Sequence, residues 1–152
     1  MANTQSMCTS FMGELLTATH NFTTSTGDTF KAALYLTTAT NNASTTAYSA
    51  TGEVSGTGYT AGGVTVTNGT SPSSTNTSST AGVAYWTPSA SLTYTSVTLS
   101  TAFDCVLIYN SSKSNKAVSV HTFGSQTVTA GTFTLTMPSN TTSTALIRLA
   151  TT

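Results

Sequence analysis

From Thr29 onward, hydrophobic side chains recur at every second position, in short runs separated by turn-forming residues. Successive side chains of a strand point to opposite faces, so this period commits most of the chain to β-structure. Phe30, Ala32, Leu34 and Leu36 alternate with Lys31, Ala33 and Tyr35. Phe103, Cys105, Leu107 and Tyr109 alternate with Asp104, Val106 and Ile108, a run apolar on both faces that predicts a central strand. Further strands are expected at Val64 and Val66, at Val83, Tyr85 and Trp86 (ended by Pro88), and at Val118 and Val120. Two more follow, at Phe133, Leu135 and Met137 and at Ala145, Ile147 and Leu149. Leu92 and Tyr94 shift phase to Val97 and Leu99, which predicts a bulge near Ser96. Asn110 to Asn115 reads as a polar turn, and Gly56, Gly58, Gly62 and Gly63 as turn chemistry around Tyr59. Short strands with regular turns define an all-β fold, a β-sandwich or jelly roll.

The first 27 residues differ. Phe11, Met12, Leu15 and Leu16 fall at helical spacing after Ser10, a candidate N-cap, and predict a short amphipathic helix over 10–20. Glu14 in its first turn and His20 near its end suit the helix dipole. A helix of three turns is marginal alone, so its apolar stripe must be buried, either on its own domain or in a neighbouring subunit. The chain therefore divides into an N-terminal arm with a short helix (1–27) and a β-sandwich domain (28–152). The tract from Asn68 to Thr80 has no apolar side chain to bury and reads as a long exposed loop.

Charge narrows the function. Only four Lys plus Arg and four Asp plus Glu occur in 152 residues, and the net charge is zero. Thr and Ser make up roughly 40% of the chain, far above ordinary usage. Lys31, Lys113, Lys116 and Arg148 are too few to release counterions from a nucleic acid. No apolar run approaches the roughly 20 residues of a membrane-spanning helix. Cys8 and Cys105 are read as free thiols, and Met1 to Ser6 lacks a basic start followed by an apolar run, which points to synthesis in a reducing cytosol.

Catalytic and metal constellations are not expected. Glu14, Asp28, Glu53 and Asp104 are scattered, as are His20 and His121. A Ser–His–Asp set could be drawn from His121, Asp104 and one of many serines, but no Gly-x-Ser-x-Gly elbow marks a nucleophile. His121 reads as a solvent-facing strand residue. The cysteines and histidines lack the close paired spacing of a zinc site, and no two acids cluster as calcium requires. Lys31 and Asp104 sit inside strands, where an unpaired buried charge is costly, so they are either exposed or paired, with Glu53 and Arg148 as candidate partners, and at least one such pair is expected. Tyr85 and Trp86 are candidate glycan-facing residues, a stacking platform for sugar rings, or else core and rim residues of the sandwich. Scarce charge also leaves little repulsion between copies, which favours close association.

Four stretches carry a resemblance: DTFKAALY (Asp28–Tyr35), TAYSATGEVSGTGYTAGG (Thr46–Gly63), AFDCVLIYNSSKSNKAV (Ala102–Val118) and TVTAGTFTL (Thr127–Leu135). Together they resemble small β-rich virion proteins of tailed bacteriophages, over most of the chain from Asp28 to Ala150, with Glu53–Gly63 the most specific part. The resemblance implies a structural role on the particle, with no cofactor and no catalytic residues. It points to a capsid decoration (cement) protein, a homotrimer on the capsid surface whose partner is the major capsid protein. A neck, tail or fibre position with a glycan- or receptor-binding surface is the alternative. On this reading Phe11, Met12, Leu15 and Leu16 are candidate capsid or subunit contacts, and removing the first twenty residues should abolish capsid binding.

Overall fold

The computed structural model describes residues 2–75 and 82–151. Its elements run β1 (Ser6–Met7), α1 (Thr9–Leu16), β2 (Phe30–Leu36), β3 (Val64–Thr65), β4 (Ser73–Ser74), β5 (Val83–Trp86), β6 (Leu92–Asn110), β7 (Lys116–Leu135) and β8 (Ile147–Ala150). The fold is all-β with one short helix. Two antiparallel sheets have the strand orders β1-β7-β6-β2-β3 and β4-β5-β8.

A single hairpin organises the molecule. The 19-residue β6 and 20-residue β7 pair from Asn110↔Lys116 out to Leu92↔Leu135, joined by the polar turn at 111–115. Ser114 and Asn115 take positive φ in that turn. Where β6 and β7 leave the turn both faces are covered, and Cys105–Asn110 and Ala117–Val120 are buried. As expected, Phe103–Asn110 lies at the centre of its sheet, between β7 and β2.

Further out the strands bend back. Phe123 and Phe133 are ten positions apart on one strand, which a straight strand would hold about 33 Å apart. Their rings nevertheless lie 5.3 Å apart, and Phe103 meets Phe133 at 5.0 Å. Repeated register shifts between Tyr94 and Cys105 absorb the bend, with Ser96 and Ala130 at positive φ. The expected bulge near Ser96 is therefore present. The strands read separately at Leu92 and Phe103, and at Val118 and Phe133, are continuous. The hairpin's outer half folds over its inner half, so Leu92, Val106 and Ile108 share one concavity.

Segment 46–63 covers the other side of β2. Its two glycines with most at stake are Gly58 (φ +77) and Gly63 (φ +73). A Cβ on Gly63 would fall 1.7 Å from the Ala32 carbonyl oxygen, and one on Gly58 2.3 Å from that of Ser96. Left-handed backbone and close approach both demand glycine there. Glu53 then ties the segment together: its carboxylate accepts from the hydroxyls of Tyr48 (2.6 Å) and Tyr59 (2.7 Å) and from the Gly62 amide (2.7 Å). Tyr48 stacks on Tyr109 at 4.7 Å.

Residues 2–27, read from sequence as an arm, join the same core. β1 pairs with β7, and Cys8, Phe11, His20 and Phe22 are buried. The helix is shorter than expected and begins earlier. The Cys8 amide still bonds the Val118 carbonyl beside β1, so the chain leaves the strand only there, and Cys8 rather than Ser10 stands at the N-cap. Ala18 takes a left-handed turn (φ 54) two residues past the helix, which leaves His20 outside it. Glu14 is beyond the first turn, so its partners are side chains and not the helix dipole.

The tract from Asn68 is less free than its composition suggests. Asn68 donates to the Phe22 carbonyl (2.7 Å) and accepts from the Trp86 indole (3.0 Å), and Ser73–Ser74 pair with Ala84–Tyr85. Residues 76–80 of the expected loop lie outside the described residues.

Candidate functional site

Helix α1 lies over the β4-β5-β8 sheet and leaves a groove of about 100 Å³, lined by Phe11, Leu15, Phe22, Trp86, Ile147 and Leu149 among others. The register explains the wall: Trp86 pairs with Ile147 and Ala84 with Leu149, so these four side chains project from one face. Phe11 and Leu15, one helical turn apart, form the opposite wall. An aromatic series floors it: Phe22 stacks on Phe30 at 4.3 Å and meets Trp86 at 4.8 Å and Phe11 at 5.9 Å.

The groove gathers residues singled out for two different reasons. Phe11 and Leu15 were candidate contacts, Tyr85 and Trp86 candidate glycan-facing residues, and all four line it. Their accessibility differs sharply. Phe11 is 0% exposed and is part of this chain's own core, so it is not offered to a neighbour. Trp86 is 2% exposed, and its indole N–H is shared between Asn68 and the Thr70 carbonyl, so its ring is not a platform for sugar. Tyr85 remains half-buried. Outside the groove, Leu16 is 90% exposed and Met12 45%, while Leu149 in its lining is 41% exposed. Met12 and Leu16 are one turn apart and share the outward face of α1.

The ionisable groups assemble elsewhere, beside the hairpin turn. Glu14 accepts from Lys116 and from His20 Nε2 (2.7 Å). The Asn110 amide donates to His20 Nδ1 (2.9 Å) and to Asp28 (2.8 Å), and Lys113 lies 3.6 Å from Asp28. These bonds fix the imidazole as the tautomer with its proton on Nε2. Burial would raise the Glu14 carboxyl, but Lys116 and His20 outweigh it and hold it below the usual range. Burial also opposes the charge on Asp28, where bonds from Asn110 and the Asn21 amide, with Lys113 nearby, win in the same way. The network pins α1, the 20–28 segment and the hairpin turn to one another. No sequence pattern could have paired Glu14 with Lys116, because the fold brings them together across most of the chain.

The pairing expected for Lys31 or Asp104 with Glu53 or Arg148 does not form among the described residues. Asp104 instead accepts from the Asn3 amide (2.7 Å), Glu53 is occupied by tyrosines, and Arg148 donates to the Thr142 carbonyl (2.7 Å). His121 is half-buried and not solvent-facing, and burial pushes its pKa down to about 4. Ser119 Oγ lies 2.9 Å from His121 Nε2, but Ser119 is buried and Asp104 is engaged with Asn3. Cys8 and Cys105 are buried free thiols, both pushed up to about 12 by burial and, secondarily, by neighbouring Glu14 and Asp104 respectively. Among the described residues no three His, Cys, Asp or Glu side chains stand where they could hold a metal ion, and no helix is long and apolar enough to cross a membrane. A wider concavity of about 730 Å³, lined by Tyr35 and by residues of 38–52, presents hydroxyls and amides but no charged side chain.

No known family model matches this sequence, and no curated protein or solved structure gives a significant match.

Proposed function

We propose that this chain is a structural protein of a tailed-phage virion, a decoration protein that binds the capsid surface and has no catalytic role. The observation that carries the reading is the set of exposed apolar side chains, Leu16 and Met12 on the outward face of α1 and Leu149 in a groove without charge. Such a patch marks a contact surface on a soluble protein. Covering it would contribute about 25 cal/mol for each Å² of apolar area removed from water. The scarcity of charge over the rest of the chain suits a protein packed among many neighbours. The resemblance of Asp28–Ala150 to small virion proteins supplies the partner, the major capsid protein. The neck, tail or fibre alternative has less support, because of its two glycan-facing residues, Tyr85 and Trp86, the second is buried.

The contact set is accordingly revised to Met12 and Leu16 with Leu149, Leu15 lining the groove behind them. Removing the first twenty residues is a poor test, since it deletes Phe11 and Cys8 from the core. The better variant is Met12→Asp with Leu16→Asp, which touches only exposed side chains. It should fold with an unchanged thermal midpoint and lose particle binding in a co-sedimentation assay. Full occupancy by this variant would overturn the proposal. So would a copy number per particle on the scale of one neck ring in place of that of the capsid subunits.

A further inference from the structure

We propose that the outer edge of β7 is a self-association surface, at which two copies of this chain pair antiparallel about a two-fold axis through Gly131–Leu135. Strand edges with unpaired backbone groups invite pairing, and natural proteins guard them by shortness, charge or proline. The strands that end the two sheets here are guarded. β1, β3 and β4 are two residues each, and the four-residue β8 carries Arg148. β2 is sealed by the 52–54 segment, where Leu36 donates to the Gly52 carbonyl and Val54 to that of Leu34.

β7 is different. β1 pairs with it only at Ser119 and Val120, and no other described strand pairs with its outer side. From His121 to Leu135 it contains no Lys, Arg, Asp, Glu or Pro. The residues inserted in β7 itself lie before Gly131; the shift between Tyr94 and Val97 puts its extra residue in β6, opposite Thr132, and Phe133, Thr134 and Leu135 face Tyr94, Thr93 and Leu92 in unbroken register. This last stretch is therefore regular strand with a free edge, and Thr132 and Thr134 on it are exposed.

The occupant follows from what the rest of the molecule offers. A cyclic trimer, expected from the resemblance, needs a second edge of comparable length for β7 to meet. Among the described residues the other strands that end the sheets span two to four residues, and the outer half of β6, which β2 does not reach, is bordered by segment 57–64: the Thr98 amide bonds the Thr57 carbonyl, and Gly58 lies against the Ser96 carbonyl. An antiparallel two-fold pair needs only β7 itself, because the same edge serves both copies. Like charges directly opposite would oppose such a pair. β7 has none here, and threonine against threonine is a favourable cross-strand match. The zero net charge removes long-range repulsion as well. This inference is independent of the capsid reading and is decided on the free protein.

The test is sedimentation of the purified full chain over a wide concentration range. Twice the 15.5 kDa chain mass is expected at high concentration, falling to the monomer on dilution. The variant Thr132→Lys with Thr134→Lys places like charges across the two-fold and should be monomeric throughout, with the thermal midpoint of the parent. A parent that stays monomeric at its solubility limit overturns the proposal, as does a trimer. A dimer that survives the two lysines but is dissolved by Leu16→Asp overturns it too, because association then runs through α1.

Discussion

The inner and outer halves of the β6–β7 hairpin share one hydrogen-bonded ladder, yet they live in different surroundings. The inner half, Phe103–Asn110 with Ala117–Val120, is covered on both faces by α1, the aromatic series and the 46–63 segment. The outer half alternates, with Leu92, Tyr94, Val97 and Leu99 turned inward and Thr93, Thr95, Thr132 and Thr134 turned to solvent. Hydrogen bonding alone therefore does not decide how much a strand contributes to stability. The coverage of its faces does, since burial is the dominant favourable term. The inner half holds the molecule together, and the outer half presents a surface.

The largest expected effect comes from opening a cavity in the inner half. Leu107 is fully buried, and Leu107→Ala should cost about 3 kcal/mol in denaturant unfolding. Thr132→Ala on the outer half should stay within about 0.5 kcal/mol of the parent. Equal losses at the two positions would erase the distinction.

Next in size is the cover over the inner half. Glu53→Gln turns one acceptor oxygen into a donor facing tyrosine hydroxyls and the Gly62 amide. The expected cost is about 1–3 kcal/mol. Amide exchange should quicken first in β2 and around Tyr109, whose ring stacks on Tyr48, and leave Gly131–Leu135 unchanged. Uniform quickening over both halves would refute this division of labour.

These halves were not equally legible in the sequence. The inner strands were, because period-two alternation of bulky side chains reports directly on which face a residue occupies. The polar turn was legible for the same reason, and so was the Ser96 bulge, where the alternation slips by one. The continuity of β6 and β7 was not. Near Ser100 and Gly124–Thr127 the strands bend through residues too small or polar to carry a hydrophobic period, and a bend reads as a break. The groove was half legible. The helical spacing of Phe11 and Leu15 marked one wall, but periodicity cannot say which of two neighbours, Leu15 or Leu16, faces the core. Trp86 was ambiguous because its burial depends on Asn68, eighteen residues earlier. The Glu14–His20–Asn110–Asp28 network was invisible, since its members meet only through tertiary structure.

Acid should act at the join between the halves. His121, opposite Val106, has its pKa pushed down to about 4 by burial, whereas an unfolded histidine titrates near 6.5. As pH falls, the unfolded chain takes up this proton first. The contribution of neutral His121 is therefore intact above about pH 6.5, declines between there and about pH 4, and is gone below. Glu14 and Asp28, held below the usual carboxylate range, lose their share at still lower pH. In base the sign reverses the direction of loss. The buried Cys8 and Cys105 thiols resist ionisation to about pH 12, so stability should fall above the ordinary thiol pKa of about 8.5. Denaturation midpoints against pH test this, and His121→Asn should flatten the slope between pH 4 and 6.5.

The smallest expected effect on stability is the most informative about the surface. Leu16 is 90% exposed, so Leu16→Ser removes almost no burial and should leave unfolding within about 0.5 kcal/mol of the parent. A leucine kept so exposed on a helix whose opposite wall is packed contributes nothing to the isolated chain's core. If Leu16→Ser destabilises the free protein by more than about 1 kcal/mol, then Leu16 already has a partner in solution. The outward apolar face of α1 would then be an intramolecular or self-contact, and the two-surface picture, in which α1 meets the capsid while β7 meets its own copy, would have to be redrawn.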